Sequence, residues 1–205
     1  MITVVDYGVG NLGSVMNMLA HIGVPAQRTG SPAEVAGATK IVLPGVGAFD
    51  AAMRAIREAN LFEPLDEAAT RRRVPVLGIC LGMQLLTRDS EEGEEAGFGW
   101  LPATTVRFDV AAAGNSLTVP HMGWNVVEQR NPAPLLPDLG GELRFYFANS
   151  YHLRCDDPAD VVGVTVHGYE FPSIVAHGNV LGAQFHPEKS HRFGMALLRN
   201  FAEKY

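Results

Sequence analysis

Val74-Pro75-Val76-Leu77-Gly78-Ile79-Cys80-Leu81-Gly82-Met83-Gln84-Leu85-Leu86 is the most apolar run of the chain, and its reading decides the fold. Val74–Ile79 is a near-continuous apolar stretch, the pattern of a strand buried on both faces. Met83–Leu86 reads as helical. Between them stands Gly78-x-Cys80-x-Gly82. Glycines flanking a central residue let the backbone bend sharply and let neighbouring segments approach, which lifts that side chain above the strand ends. The following helix aims its N-terminus at the thiol and favours the thiolate, the reactive species. This is the pattern of a nucleophile elbow with Cys80 as candidate nucleophile. A buried core cysteine beside two packing glycines is the bland alternative.

Upstream, short apolar runs alternate with helix-period segments. Ile2–Val5, Pro25–Arg28 and Lys40–Leu43 read as strands. Asn11–His21, stopping at Gly23, Phe49–Ala59 and a segment near Leu65–Arg71 read as helices. Ser31-Pro32-Ala33-Glu34 carries a helix start: cap, proline at the first position and glutamate three after the cap. Strand and helix in alternation give a parallel sheet with helices on both faces. After about Gly97 the texture changes to β-rich runs separated by Gly, Pro, Asn and Asp: Thr104–Phe108, Trp124–Val127, Arg144–Phe147, Val161–Val166, Phe171–Val175 and Val180–Gln184. These suggest mixed or antiparallel strands added to the parallel sheet, closed by a helix over about Arg192–Glu203. The acidic stretch Asp89–Glu95 reads as a solvated loop.

The bulk numbers exclude several classes. With 205 residues, 47% apolar and 19% charged, the chain fits one domain and not a disordered one. A net charge of −6 argues against a general nucleic-acid binder. Cys80 and Cys155 are the two cysteines, and a disulfide is unneeded at this size. The start, Met1-Ile2-Thr3-Val4-Val5-Asp6, lacks a signal-peptide pattern, and no apolar run is long enough for a bilayer, so a cytoplasmic location is expected. The seven histidines lack zinc-site spacing. No metal or cofactor is expected.

Phe185-His186-Pro187-Glu188-Lys189 follows the strand Val180–Gln184. A cysteine hydrolase needs an imidazole to move the thiol proton, and a carboxylate to hold the imidazole tautomer. His186 and Glu188, two apart in an extended segment, emerge on the same side. Pro44-Gly45-Val46-Gly47 closes another strand and can aim a backbone N–H at an oxyanion, with the N–H of Leu81 as a second donor; a plain turn is the alternative. Gly8-Val9-Gly10-Asn11-Leu12-Gly13 also fits the dinucleotide fingerprint. The acidic residue expected about 20 positions on is missing. Ala26-Gln27-Arg28-Thr29 stands there instead, so only a non-catalytic nucleotide module reading through Arg28 stays open.

Gly78–Gln84 and Phe185–Lys189 resemble the two signatures of the class I, or triad, glutamine amidotransferases. Asp6-Tyr7-Gly8-Val9-Gly10-Asn11, Pro44–Gly47 and Pro120-His121-Met122-Gly123-Trp124-Asn125 narrow the resemblance to the glutaminase subunits of imidazole glycerol phosphate synthases, over essentially the whole chain. The resemblance implies a three-layer α/β, flavodoxin-like fold in one domain, residues 1–205. It implies hydrolysis of L-glutamine by a triad of Cys80, His186 and Glu188 through a glutamyl thioester, with Gly47 and Leu81 at the oxyanion site. Gly82, Gln84, Asn149, Ser150 and Tyr151 would hold glutamine. Ammonia would pass to a separate (β/α)8 cyclase subunit in a heterodimer, touched by Gly8, Gly10, Asn11, Trp124, Asn125 and Lys189. Asn149 stands where the family usually has histidine. The tail His191-Arg192-Phe193-Gly194-Met195 looks more like a paralogous branch serving sugar amidotransferases of surface polysaccharides.

Overall fold

The computed structural model describes residues 1–112 and 117–205. The described residues form a nine-stranded sheet and a two-stranded ribbon. Strands β1 (Ile2–Val5), β2 (Ala26–Thr29), β3 (Ile41–Gly45), β4 (Val76–Cys80) and β11 (Val180–Ala183) are mutually parallel in the order β2-β1-β3-β4-β11. That is a doubly wound order, which opens ligand sites at the carboxyl ends of its strands. Beyond β11 the sheet continues antiparallel through β10 (Tyr169–His177), β9 (Val161–His167), β6 (His121–Gln129) and β7 (Leu143–Asn149).

Side chains on the parallel strands alternate between faces, as a period of two demands. Ile2, Val4, Val42, Leu77 and Ile79 pack on one face with α1 (Leu12–His21) and α6 (His191–Lys204). Val5, Ile41, Leu43 and Val76 pack on the other with α3 (Phe49–Glu58) and α4 (Phe62–Asp66). Both faces are covered, which is why these strands read as continuous apolar runs rather than alternating ones.

Several expectations need correction. α5 after Cys80 is a single turn, Leu81–Gln84, rather than a helix through Leu86. Its dipole is correspondingly small. Ser31 precedes the short helix α2 (Pro32–Ala36), but its hydroxyl makes no capping hydrogen bond. Pro187–Lys189 is a 3₁₀ turn and not extended backbone. Strand β8 (Tyr151–Cys155) pairs with β5 (Ala103–Arg107) as the separate ribbon, so not every added strand joins the main sheet. Tyr151-His152-Leu153-Arg154-Cys155 offers little apolar alternation, and only its partner reveals it. No described helix is long and apolar enough to cross a membrane.

The elbow depends on close approach. A Cβ on Gly82 would lie 1.8 Å from the Leu43 carbonyl oxygen, and one on Gly78 2.5 Å from that of Gly82. Gly13, by contrast, would meet nothing within 4 Å. Gly82→Ala is therefore expected to destabilise the protein by at least about 2 kcal/mol. Gly13→Ala, inside a helix with open space, is expected to be neutral or to stabilise by up to about 1 kcal/mol. Urea unfolding midpoints check the pair, and equal midpoints for both variants would contradict the packing account.

Candidate active site

The carboxyl ends of β3, β4 and β11 converge. β3 and β4 run in register to Gly45 opposite Cys80. Cys80 sits at φ 55°, ψ −112°, a left-handed backbone that an L-residue holds only under constraint. The constraint is the carbonyl wall described above, which leaves the chain no room to turn less sharply. The thiol sits at the floor of a cleft of about 300 Å³, 6% exposed.

β11 ends against Cys80 from the other side. Beyond it, His186 is 3% exposed, and its backbone N–H donates to the Tyr146 carbonyl of β7 at 2.8 Å. The Ser190 hydroxyl donates to the His186 carbonyl at 2.6 Å and accepts from the Tyr146 N–H at 3.0 Å. These bonds tie the 3₁₀ turn to the antiparallel half of the sheet. Within that turn His186 Nδ1 meets Glu188 Oε1 at 2.9 Å, so the pair forms even though the segment is not extended. The other Glu188 oxygen is buried without a partner among the described residues, which leaves the carboxylate charge resting on the imidazole. Burial alone would lower the His186 pKa, but hydrogen bonds with Cys80 and Glu188 outweigh it and raise the group to about 9. Cys80 and His186 thus line one cleft, with Glu188 bonded to the imidazole.

The Pro44–Gly47 loop lies beside them, with Val46 and Gly47 lining the cleft. Gly47 takes φ +101°, a conformation that favours glycine. Tyr7, buried at the end of β1, donates its hydroxyl to the Pro44 carbonyl at 2.7 Å. Burial and the nearby Cys80 hold the phenol well above its ordinary value, so it stays a proton donor. Nothing in the sequence reading marked Tyr7 as more than part of a motif.

The opposite wall comes from the end of β7 and the start of β8. Leu81, Gln84, Asn149, Ser150, Tyr151 and Lys189 all line the cleft. Gln84 Nε2 donates to the Tyr151 carbonyl at 3.2 Å and to Gln184 Oε1 at 3.3 Å. Gln184 Nε2 reaches Cys80 Sγ at 3.9 Å. Gly82 lies under the elbow and serves packing. Gly8, Gly10, Asn11, Trp124 and Asn125 do not line the cleft. Trp124 is 42% exposed, stacks on His191 and presents an edge to Tyr146. Lys189, expected among those contact residues, also lines the cleft.

The acidic loop is a built feature, not a plain solvated one. Asp50 accepts from the Glu94 and Glu95 N–H groups. Glu92 accepts from the Phe49 N–H at 2.9 Å and lines the cleft. A carboxylate facing Ser150 and Tyr151 across a small polar cleft suits an ammonium group. The sequence signal for it was only a glutamate in an acidic run. The dinucleotide reading loses its last support here: Arg28, its one candidate phosphate ligand, is paired with Asp6 at 2.7 Å, and Gly13 is not pressed against any strand. Larger grooves of about 990, 660 and 370 Å³ lie elsewhere. The second holds Cys155, whose thiol burial pushes up to about 12, which makes it unreactive. Among the described residues no cluster of three or more His, Cys, Asp or Glu is arranged to hold a metal.

Comparison with known proteins agrees with this geometry. Residues 3–205 match the family described as glutamine amidotransferase class-I. A Pseudomonas aeruginosa protein named imidazole glycerol phosphate synthase subunit HisH 2 is 46% identical over 203 residues, 99% of each chain. A Methanococcus maripaludis protein of the same name is 45% identical over 204 residues, the full length of both. Among solved structures, a glutamine amidotransferase superposes with a TM-score of 0.76 at 19% identity, covering 99% of this chain and 98% of its own. The PurLQS structure of Thermotoga maritima gives a TM-score of 0.75 at 20% identity, covering 98% and 96%. These two share the fold.

His186 provides a direct check. The unfolded imidazole releases its proton near pH 6.5, whereas the folded group keeps it to about 9. The stability it contributes is therefore full below pH 6.5 and is lost as pH rises through about 9. NMR titration of the ring is expected to show that high midpoint and a lower one in Cys80→Ala. An unchanged midpoint in the variant would contradict the coupling.

Proposed function

The chain belongs to the class-I glutamine amidotransferase family, and we propose that it is the glutaminase subunit of an imidazole glycerol phosphate synthase, acting in histidine biosynthesis as one domain over residues 1–205. The observation that carries the chemistry is the bonded His186–Glu188 pair beside Cys80 in a cleft lined also by Gly47, Leu81 and Glu92. The near-full-length likeness to proteins named HisH supports the pathway.

In this reading the Cys80 thiolate attacks the carboxamide carbon of L-glutamine, and the carbonyl oxygen gains negative charge. The backbone N–H groups of Gly47 and Leu81 stabilise it. The His186 imidazolium gives its proton to the departing nitrogen, releasing ammonia and leaving a glutamyl thioester. His186 then takes a proton from water, which attacks the thioester and releases glutamate. Glu188 orients the imidazole and stays ionised. Glu92 accepts the substrate α-ammonium, while Gln84, Asn149, Ser150 and Tyr151 shape the wall that holds the rest. The Tyr7 hydroxyl fixes the Pro44 carbonyl and with it the loop that carries Gly47.

Ammonia passes to a (β/α)8 cyclase partner in a heterodimer. The exposed apolar side chains Met122, Trp124 and Val46, with the Gly8–Asn11 loop, Asn125 and Lys189, supply the docking face. The His191–Met195 tail, which also suits a sugar amidotransferase branch, has an internal reason: a Cβ on Gly194 would lie 1.8 Å from the Pro187 carbonyl oxygen.

Glutamate release is expected to rise many-fold when the same organism's cyclase and a substrate analogue are added, and to vanish in Cys80→Ala. Release that ignores the cyclase would move the acceptor to a sugar amidotransferase, and no release at all would end the reading. Removing one charged partner of the substrate costs about 1.5–3 kcal/mol. Glu92→Gln is therefore expected to raise KM for glutamine by about 10- to 100-fold, with a smaller change in kcat. An unchanged KM would remove Glu92 from the site.

A further inference from the structure

Two buried polar atoms on directly opposed residues lack a hydrogen-bond partner among the described residues. His121 and Asn149 are directly opposite across the antiparallel pair β6–β7. Both are buried, at 4% and 5% exposure. Neither His121 Nδ1 nor Asn149 Oδ1 has a hydrogen-bond partner among the described residues. Directly opposed residues bring their Cβ atoms to about 5 Å, within reach of one another's side chains.

The surrounding bonds fix which atom is donor and which acceptor. The Asn125 amide nitrogen donates to the Val166 carbonyl at 2.9 Å, and its amide oxygen accepts from the Val126 N–H at 2.8 Å. A flipped amide would set oxygen against the Val166 carbonyl, so the orientation is determined. That same nitrogen lies 3.1 Å from His121 Nε2, which must therefore accept. The ring proton then belongs on Nδ1. At the other end, the Asn149 amide nitrogen donates to the Tyr151 carbonyl at 2.9 Å, which turns its oxygen away as an acceptor. One partnerless atom is a donor and the other an acceptor. Burial, the neighbouring His167 and, in opposition, the Asn149 side chain set the His121 pKa at about 4, so the ring is neutral near pH 7.

We infer that His121 is a positioning residue for the glutamine site: its Nδ1–H donates to Asn149 Oδ1 and locks the amide that holds the Tyr151 carbonyl. That carbonyl also accepts from Gln84 Nε2, so the lock sets one wall of the cleft. His121 itself touches no substrate. Stacking against His167 at 4.2 Å and packing against Phe147 fix the ring plane. The inference rests on the glutaminase reading for its kinetic consequence, but the inferred hydrogen bond does not depend on that reading.

The test has two arms on the full chain. Nitrogen NMR of labelled histidines is expected to show His121 as the Nδ1–H tautomer with a protected ring proton, and to lose that protection in Asn149→Ala. An Nε2–H tautomer would overturn the inference whether or not the protein hydrolyses glutamine. In glutamate-release assays run beside the wild type, His121→Phe keeps the ring but loses the donor. It is expected to raise KM for glutamine about five- to tenfold with kcat changed less. His121→Asn places an amide N–H where Nδ1 stood and is expected to stay within about twofold of wild type. Equal KM values for His121→Phe and His121→Asn would overturn the proposal. A wild type that releases no glutamate would instead sink the glutaminase reading, leaving the tautomer to decide the pair.

Discussion

The contact between the Gly82 backbone and the Leu43 carbonyl oxygen sets the rest of the molecule's site. It brings the turn after β4 so close to β3 that only a residue without a side chain fits, and it forces Cys80 into left-handed backbone. The cost of that conformation, of order 1–3 kcal/mol, is borne by the packing of a buried parallel sheet. Because β3 and β11 flank β4, the same turn aims the thiol at loops from both neighbours: Pro44–Gly47 on one side and His186–Glu188 on the other. A nucleophile elsewhere on the sheet would meet one of these loops, not both.

The antiparallel half completes the site. β7 is the last strand of the main sheet, yet its Tyr146 backbone binds His186 and Ser190. Its end passes directly into Asn149, Ser150 and Tyr151. The imidazole and the proposed substrate wall are therefore carried by one rigid element. Glu188 holds the ring's charge from the buried side of the imidazole. Burial there works against an imidazolium, and it is the paired thiol and carboxylate that overcome it.

How much of this could be read in the sequence varies with the range of the interaction involved. Gly78, Cys80 and Gly82 announce the elbow because sharp turns and close approach leave local marks. His186 and Glu188 announce themselves by their separation, though the geometry that unites them is a 3₁₀ turn and not the extended segment that spacing suggested. Glu92 was hidden in an acidic run, since its place in the cleft comes from bonds between that loop and the start of α3, far away in sequence. Tyr7 and His121 were legible only as motif letters, because each acts through a partner on another strand. The Gly8–Gly13 pattern misled for the converse reason. Its glycines match a fingerprint, but Gly13 lacks the helix–strand contact that gives such a glycine its purpose, and Arg28 is already held by Asp6.

Of the two thiols, Cys80 lines the proposed glutamine cleft and Cys155 lies outside it. Labelling with a glutamine analogue carrying a diazoketone, followed by intact-mass measurement and peptide mapping, addresses this difference most directly. The account predicts a single adduct on Cys80, suppressed by L-glutamine and slowed when His186 is replaced by alanine. Labelling of Cys155 at a comparable rate, or of Cys80 without protection by glutamine, would contradict it.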